Sequence, residues 1–295
     1  MGNPTLGITC KVASVLGFTV MAALIKFASE TCPTTQVCFF RSFFALLTIV
    51  AVMAWRGEFP AALRTSNPWG HLWRGALALA SMVCNFSAIA LLPLPDAIAI
   101  GYAMPLFVTI FAAVLLGEVV RSFRWTAVAV GLAGVLIILW PRLSVITGAM
   151  GSTGEAFGAA AALSGAATGA LGAIVASRLV MAERTPTIVF YFSAICSAGF
   201  MLALPFVWKT PDAATFAALV MAGILGGVSQ LLVTESYRHA DTSTVAPFEY
   251  TSMLFGIILG LVVFGELPTV PMLFGAAVVI AASLMVIWRE RRRAD

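Results

Sequence analysis

The chain alternates long apolar stretches with short polar connections, and this pattern predicts its secondary structure. A helix that crosses the hydrocarbon core of a membrane needs about 20 mostly apolar residues, because lipid offers no partner for an unpaired peptide group. Ten stretches meet this requirement, and they are twice as long as the strands of an outer-membrane barrel. They run approximately over Gly7–Ala28, Pro33–Trp55, Gly70–Leu92, Pro95–Gly117, Phe123–Trp140, Ala156–Ser177, Thr187–Trp208, Ala213–Tyr237, Ser243–Gly265 and Pro271–Trp288.

The composition supports a protein that lives in a lipid bilayer. Hydrophobic residues make up 61% of the 295 residues and charged residues only 10%, whereas soluble domains carry about 25% charged residues. The mean hydropathy is +1.01. The connections are short, so no soluble domain of useful size is expected between the spans.

The two halves of the chain repeat each other. Gly117-Glu118 recurs as Gly265-Glu266, and Tyr102 recurs as Tyr250, in both cases 148 positions later. A repeat with an odd number of spans has to return upside down in the bilayer. The sequence therefore predicts an all-α membrane protein of ten transmembrane helices in two inverted five-helix repeats, residues 1–142 and 143–295.

The basic residues predict which side of the membrane holds the two termini. Placing both termini in the cytoplasm assigns thirteen basic residues to that side and only Arg142 and Lys209 to the other, which is a strong positive-inside bias. The cytoplasmic set is Lys11, Arg56, Arg64, Arg74, Arg121, Arg124, Arg178, Arg184, Arg238, Arg289, Arg291, Arg292 and Arg293. The Arg-rich end is thus explained by topology, and no nucleic-acid partner is predicted.

The sequence lacks the motifs that several other classes of membrane protein need for their chemistry. There is no Gly-Lys pair and hence no phosphate loop with which ATP could drive transport. The two histidines, His71 and His239, lie at predicted cytoplasmic edges, and the five cysteines have no Cys-x-x-Cys spacing. We predict no catalytic residue, no metal site and no cofactor.

Charged residues inside the predicted spans are the first candidates for a site, because each costs roughly 2.5 to 3.5 kcal/mol near the bilayer centre. Arg41 lies about 12 Å into the second span, at 1.5 Å per residue, and Lys26 lies closer to the same outer face. The two cations can hold a substrate carboxylate, or they can pair with Glu30 and Asp96. For Lys26, snorkelling to the interface is the favoured interpretation.

Glu249 is the acidic candidate. It lies inside the ninth span, where desolvation can raise the pKa of a carboxyl and allow it to take up a proton. It can therefore couple transport to protons, with Lys26 as a second coupling candidate. Alternatively, it accepts hydrogen bonds from a basic group such as Arg41 or locks the helix.

The fourth and ninth spans are expected to line the path. Tyr102 and Tyr250 occupy matching positions, and Pro105 and Pro247 lie close to them as candidate hinges. Asn85 on the third span, and Ser229 with Gln230 on the eighth, add uncharged hydrogen-bonding groups. Three Gly-x-x-x-Gly pairs predict close helix packing: Gly165 and Gly169, Gly223 and Gly227, and Gly256 and Gly260.

These residues also resemble a known family. The matching runs are Phe39-Phe40-Arg41-Ser42, Leu91 to Pro105, Gly117-Glu118 and Ala246-Pro247-Phe248-Glu249-Tyr250-Thr251. They are similar to the drug/metabolite transporter superfamily, EamA type. The resemblance implies ten helices in inverted repeats, a central cavity lined mainly by the first four helices of each repeat, and secondary transport across a bacterial inner membrane. Members include amino-acid exporters, and a branch of S-adenosylmethionine carriers shares the Phe-Phe-Arg and Pro-Phe-Glu-Tyr runs.

The prediction is an inner-membrane exporter or exchanger of small zwitterionic metabolites, with amino acids first. Arg41 would bind a carboxylate, Tyr102, Phe248 and Tyr250 would stack on the substrate, and Glu249 would bind an amine or a proton. The alternative is an uptake carrier for a cationic metabolite such as S-adenosylmethionine. The alternatives from other functional classes are a channel and a receptor-like protein. The sequence leaves open whether the protein forms a homodimer.

Overall fold

The computed structural model describes residues 4–57, 63–117, 122–143, 153–180, 182–239 and 245–294, and their regular structure is helical throughout. The α-helices are α1 Pro4–Ser29, α2 Thr34–Trp55, α3 Pro68–Leu91, α4 Leu94–Gly101, α5 Met104–Leu116, α6 Ser122–Leu143, α7 Thr153–Val180, α8 Thr185–Val207, α9 Ala213–His239, α10 Thr251–Phe264 and α11 Val270–Ala294. A 3₁₀ turn, Ala246–Tyr250, leads into α10.

The helices confirm the ten predicted spans. Within the described ranges, eight helical segments are long and apolar enough to cross a membrane, and Trp125–Pro141 and Val270–Met285 are two shorter apolar helices. We call the side on which α1 begins the terminal face and the opposite side the far face. Glu118 of the sequence repeat lies outside the described residues, as does the connection 144–152, so the division at residue 142 stays a prediction.

The fourth span is interrupted near the predicted hinge Pro105, because α4 ends at Gly101 and α5 begins at Met104. Pro105 has no N–H to donate to the Gly101 carbonyl. The chain closes two short turns instead, from Tyr102 N to Ala99 O at 3.3 Å and from Ala103 N to Ile100 O at 2.9 Å. In the ninth span, Pro247 lies in the 3₁₀ turn. Both predicted hinge prolines therefore lie at interruptions of the α-helix.

The repeated glycines show why the two halves share a sequence at these positions. Gly117 ends α5 with φ of 65°, and Gly265 ends α10 with φ of 67°. This left-handed conformation is costly for any residue with a Cβ atom and ends a helix well when glycine adopts it. The same backbone stop therefore closes the corresponding span of each half.

The packing of the helices is also the same when the halves are exchanged. The most extensive pairs include α1 with α9 and α3 with α7, which are each other's counterparts. At the first crossing Gly17 faces the Ser229 hydroxyl. At the second, Ser81 Oγ donates to Gly165 O at 3.0 Å. Gly165 and Ser229 lie 148 positions after Gly17 and Ser81, so one polar crossing is built twice.

Two predicted small-residue positions hold α9 against α2. A Cβ atom on Gly223 would lie 3.0 Å from the Phe40 carbonyl oxygen and 3.2 Å from that of Arg41. One on Gly227 would lie 3.2 Å from the Ala45 carbonyl oxygen. The missing side chains let the two backbones touch, as expected where lipid supplies no hydrophobic drive for association. This crossing fixes the position of Arg41.

A carboxylate anchors the α2–α3 connection at the terminal face. Glu183 Oε1 accepts hydrogen bonds from Thr65 Oγ1 and Ser66 N, both at 2.7 Å, and from Asn67 N at 3.1 Å. Burial opposes the charge of Glu183, but these hydrogen bonds outweigh it and lower its pKa. The stabilisation is therefore present at neutral pH and is lost only as the pH falls below the ordinary range of a glutamate.

The crossing of α6 and α11 gives a test of the packing. A Cβ atom on Gly275 would lie 2.5 Å from the Gly134 carbonyl oxygen, which cannot move aside. We expect Gly275→Ala to cost about 1 to 3 kcal/mol through overpacking, seen as a lower apparent melting temperature in detergent. Gly172→Ala is the control, since its Cβ would meet Leu77 Cβ at an ordinary 3.8 Å. Equal melting temperatures for the two variants would contradict this account of the crossing.

Candidate functional site

Arg41 is a buried cation that pairs with no carboxylate among the described residues. It is 8% exposed, and its Nε atom is buried with no hydrogen-bond partner. Gly226 of α9 makes room for it, since a Cβ there would lie 3.3 Å from Nε, and Met21 of α1 lies against the same glycine. Within the described part of the chain, no carboxylate lies within ion-pair distance of the guanidinium. The group is therefore available to bind a carboxylate through two parallel hydrogen bonds.

Gln230 lies on the face of α9 that carries Gly226, one turn closer to the terminal face. It is half-buried, and its side chain makes no hydrogen bond to another described residue. Its neighbour Ser229 is engaged at the Gly17 crossing. The structure thus brings Arg41 and Gln230 to the same helix interface. Both side chains keep hydrogen-bonding groups that have no partner among the described residues.

Glu249 forms an ion pair with Lys11, not with Arg41. The Lys11 side chain is 4% exposed, whereas that of Glu249 is 53% exposed. Lys11, counted with the cytoplasmic residues in the topology argument, is buried on α1 and reaches the 3₁₀ turn of the ninth span. The side of the membrane that holds the termini stays a prediction. The carboxylate compensates a buried ammonium while remaining open to solutes and protons.

Lys26 lies in the last turn of α1, near the far face as predicted, and its partner is neither Glu30 nor Asp96. Its Nζ lies 2.5 Å from Glu266 Oε1 and donates to Leu92 O at 2.5 Å. Glu266 Oε2 in turn accepts from Leu94 N at 2.7 Å. We call these four residues the far-face lock, because they join α1, the α3–α4 connection and the end of α10. Lys26 is engaged in this lock rather than directed at Arg41.

The matching tyrosines meet where the fourth and ninth spans cross. The rings of Tyr102 and Tyr250 are 5.2 Å apart and meet edge to face at 73°. Tyr102 Oη lies 2.6 Å from Ser252 Oγ, which donates to the Glu249 carbonyl oxygen at 2.7 Å. A serine has one hydroxyl proton, so the phenol is the donor of the first bond. Phe248 is half-buried on the same 3₁₀ turn.

Asn85 has a bridging position within the α3–α7 pair. Its Nδ2 donates to Ser81 O at 2.8 Å and to Ser81 Oγ at 3.1 Å. A Cβ on Gly165 would lie 2.7 Å from its Cγ. The structure therefore does not bring Asn85 to Arg41, and these contacts favour helix bridging over substrate contact.

Arg41 and Glu249 lie at different depths. Arg41 is level with Met21 of α1, and Glu249 is level with Lys11, ten residues earlier on the same helix. Ten helical residues correspond to about 15 Å. The carboxylate and amine of one amino acid are only a few ångströms apart. The predicted combination of both residues on a single free amino acid is therefore not assembled.

Two charged residues with defined contacts were missed as candidates, namely Lys11 and Arg74. Both were counted as cytoplasmic in the topology argument, although each lies four residues inside a predicted span. Arg74 Nη1 donates to Ile188 O at 3.2 Å, and its guanidinium carbon lies 5.0 Å from the centroid of the Phe192 ring. Their position within the spans was the available signal.

Comparison with known proteins assigns the scaffold. The model of the EamA-like transporter family matches residues 5–140 and again residues 156–288. The chain belongs to this family. The two matches correspond to the two halves of the sequence repeat.

Relatives of known function are transporters with different cargo. A riboflavin transporter of Rhizobium johnstonii is 31% identical over 264 residues, which cover 88% of this chain and 83% of the relative. The pseudopaline exporter CntI of Pseudomonas aeruginosa is 31% identical over 284 residues, or 94% of each chain. An S-adenosylmethionine uptake transporter of Rickettsia bellii is 25% identical over 288 residues, covering 98% of this chain and 95% of the relative.

A solved crystal structure shows the same fold. It has a TM-score of 0.67 and 19% sequence identity, and the match covers 98% of this chain and 99% of that one. Together, the family and the relatives establish a multi-pass membrane transporter of small molecules. They include both uptake and export, so they fix neither a cargo nor a direction for this chain.

The Lys11–Glu249 pair predicts an order of stabilities. Glu249→Gln leaves a buried ammonium without its anion and is expected to cost about 1.5 to 3 kcal/mol. Lys11→Met removes the buried charge itself and should cost less. The double variant should resemble Lys11→Met in thermal unfolding, with exposed Lys209→Met as the control. Should Lys11→Met prove the more damaging single change, the pair does not have the role described.

Proposed function

We propose that this protein is a secondary transporter, an exporter or exchanger, of small metabolites that carry an amino-acid group, with amino acids as first candidates. It would work by alternating access in a bacterial inner membrane, with both termini in the cytoplasm. Arg41 would bind the carboxylate of the substrate. The observation that carries the proposal is the buried guanidinium whose Nε has no partner.

The energetics favour a ligand for Arg41. Placing an arginine inside a span costs roughly 2.5 to 3.5 kcal/mol on insertion scales, and a buried polar group without a partner adds to that cost. A substrate carboxylate relieves both costs while it is bound. Release remains feasible because the empty site is already tolerated by the fold, which keeps binding moderate, as transport requires.

The positions of the other predicted site residues suit a binding role to different degrees. Gln230 shares the interface with Arg41 and would bind a neutral polar group of the substrate. Tyr102 and Tyr250 would present ring surface at the crossing of the fourth and ninth spans, next to Phe248. Glu249 lies about 15 Å away along α1, so we assign it to the coupling proton or to a distant cationic group, not to the amine of a short amino acid.

S-adenosylmethionine is the second candidate. An S-adenosylmethionine uptake transporter matches nearly the whole chain. The Phe39-Phe40-Arg41 and Pro247-Phe248-Glu249-Tyr250 runs resemble those of the S-adenosylmethionine carriers. The molecule has an amino-acid end and a sulfonium centre. An elongated ligand of this kind can reach from Arg41 toward Glu249, which a free amino acid cannot do.

Counterflow in proteoliposomes tests the role of Arg41. We expect saturable exchange of a labelled amino acid or of S-adenosylmethionine, with riboflavin as the comparison that lacks a carboxylate. Arg41→Ala should lower kcat/KM for the carboxylate substrate by a factor of about 100, and Arg41→Lys should recover part of it, since a lysine keeps the charge but not the planar fork.

Arg178→Ala is the control for that experiment, because Arg178 is an exposed arginine near the end of α7. Normal exchange by a folded Arg41→Ala protein would refute the assignment. Single-channel currents in place of saturable exchange would indicate a channel, and binding without flux would indicate a receptor-like protein.

A pH gradient tests Glu249 as the coupling group. We expect a proton gradient to drive uphill substrate movement in the wild type and to have no effect on Glu249→Gln, which should retain exchange at equal concentrations. Glu235→Gln, on α9, is a control carboxylate at the helix end near the terminal face. Unchanged proton-driven transport in a folded Glu249→Gln protein would rule out this role.

A further inference from the structure

A second arginine lies along the same part of the bundle as Arg41. Arg74 is on α3, six residues after Pro68, and is half-buried. Its guanidinium contacts α8 through the Ile188 carbonyl oxygen and the Phe192 ring. As for Arg41, no carboxylate of the described residues lies within ion-pair distance.

The two arginines border one apolar cluster. Cys38 of α2 and Cys196 of α8 are both fully buried in it, and Phe192 packs against it. Arg41 follows Cys38 by three residues, and Arg74 covers Phe192, which is one turn from Cys196 on α8. α2 packs against α8, and Cys38 and Cys196 lie in the same buried cluster. The two arginines therefore border this cluster from α2 and from α3.

Their depths are complementary. Arg41 lies seven residues from the start of α2 at the far face, and Arg74 lies six residues from the start of α3 at the terminal face. At 1.5 Å per residue, each is roughly 10 Å from its own face. A hydrocarbon core about 30 Å thick then leaves about 10 Å of depth between them. A separation in depth of this size is compatible with one small organic molecule between them.

Among the described residues, no carboxylate balances the charge of either arginine. The buried lysines each have a glutamate, since Lys11 pairs with Glu249 and Lys26 with Glu266. The arginines have only a carbonyl oxygen and an aromatic ring between them among the described residues. Two positive charges in a low-dielectric interior attract a ligand that brings two negative ones.

We propose that Arg74 is a second anion-binding residue of the transport pathway, and that the preferred substrate carries two anionic groups, one for each arginine. This inference rests on the proposed function and narrows it to acidic amino acids and related dicarboxylates. A net cation such as S-adenosylmethionine would then be a poor substrate. A purely structural Arg74, which only anchors α3 to α8, would show no dependence on the charge of the ligand.

Matched probes separate these cases. Glutamate and glutamine have the same length and differ by one charge, as do glutarate and its monoamide. In wild-type protein, we expect each diacid to bind about tenfold more tightly than its monoamide, measured by thermal shift in detergent and by counterflow inhibition, as expected for one hydrogen-bonded charge. Arg74→Gln should remove this preference by weakening the diacid more than the monoamide, whereas Arg41→Gln should weaken both members of a pair.

The remaining variants make the result decisive. Arg74→Lys should keep part of the diacid preference, and exposed Arg178→Gln should keep all of it. If Arg74→Gln fails to fold, the preference measured in Arg74→Lys replaces it, and full wild-type preference there counts against the inference. A wild-type protein that does not favour the diacids overturns it, as does an Arg74→Gln protein that retains the preference. In either case, loss of carboxylate binding in Arg41→Ala would still support the proposed function.

Discussion

The structure depends on the need of every peptide group in lipid for a partner within the protein. This constraint makes each span helical and allows the helix to be interrupted only where other protein groups surround it. The break at Tyr102–Ala103 and the 3₁₀ turn at Ala246–Tyr250 are the two interruptions among the described spans, and both occur beside the tyrosine crossing. Irregular backbone, aromatic rings and hydroxyl groups therefore gather at this crossing, where we propose that the substrate passes.

A symmetric scaffold here carries asymmetric charge. The glycine stops, the serine–glycine crossings and the tyrosines have counterparts in the other half of the chain. The charged residues Arg41, Arg74 and Glu249 do not. The spacing of 153 residues puts Ala194 opposite Arg41, and the spacing of 148 residues puts Ala222 opposite Arg74 and Gly101 opposite Glu249. The repeat thus accounts for the architecture, whereas these three charged residues each belong to one half alone.

The positions of the spans could be predicted from the sequence, but the partners of the charged residues could not. A span is a local property of about 20 apolar residues, so its position could be predicted to within a few residues. The same holds for Pro105 and Pro247, because a missing N–H acts on the nearest turn. Lys11 and Glu249, however, are 238 residues apart. Lys26 likewise meets a glutamate from the other half, and only the packing of α1 against α10 reveals these partners.

The far-face lock has a consequence for how the molecule changes shape. Lys26 and Leu94 belong to one half of the chain and Glu266 to the other, so any rocking movement that parts α1 from α10 on that side has to rupture a charge-assisted bridge of 2.5 Å. If the carrier works by alternating access, this bridge contributes to the energy that holds the far side together. Its side chains are only 13% and 19% exposed, so salt screens the bridge much less than a surface ion pair, and the contact would persist over a wide range of ionic strength.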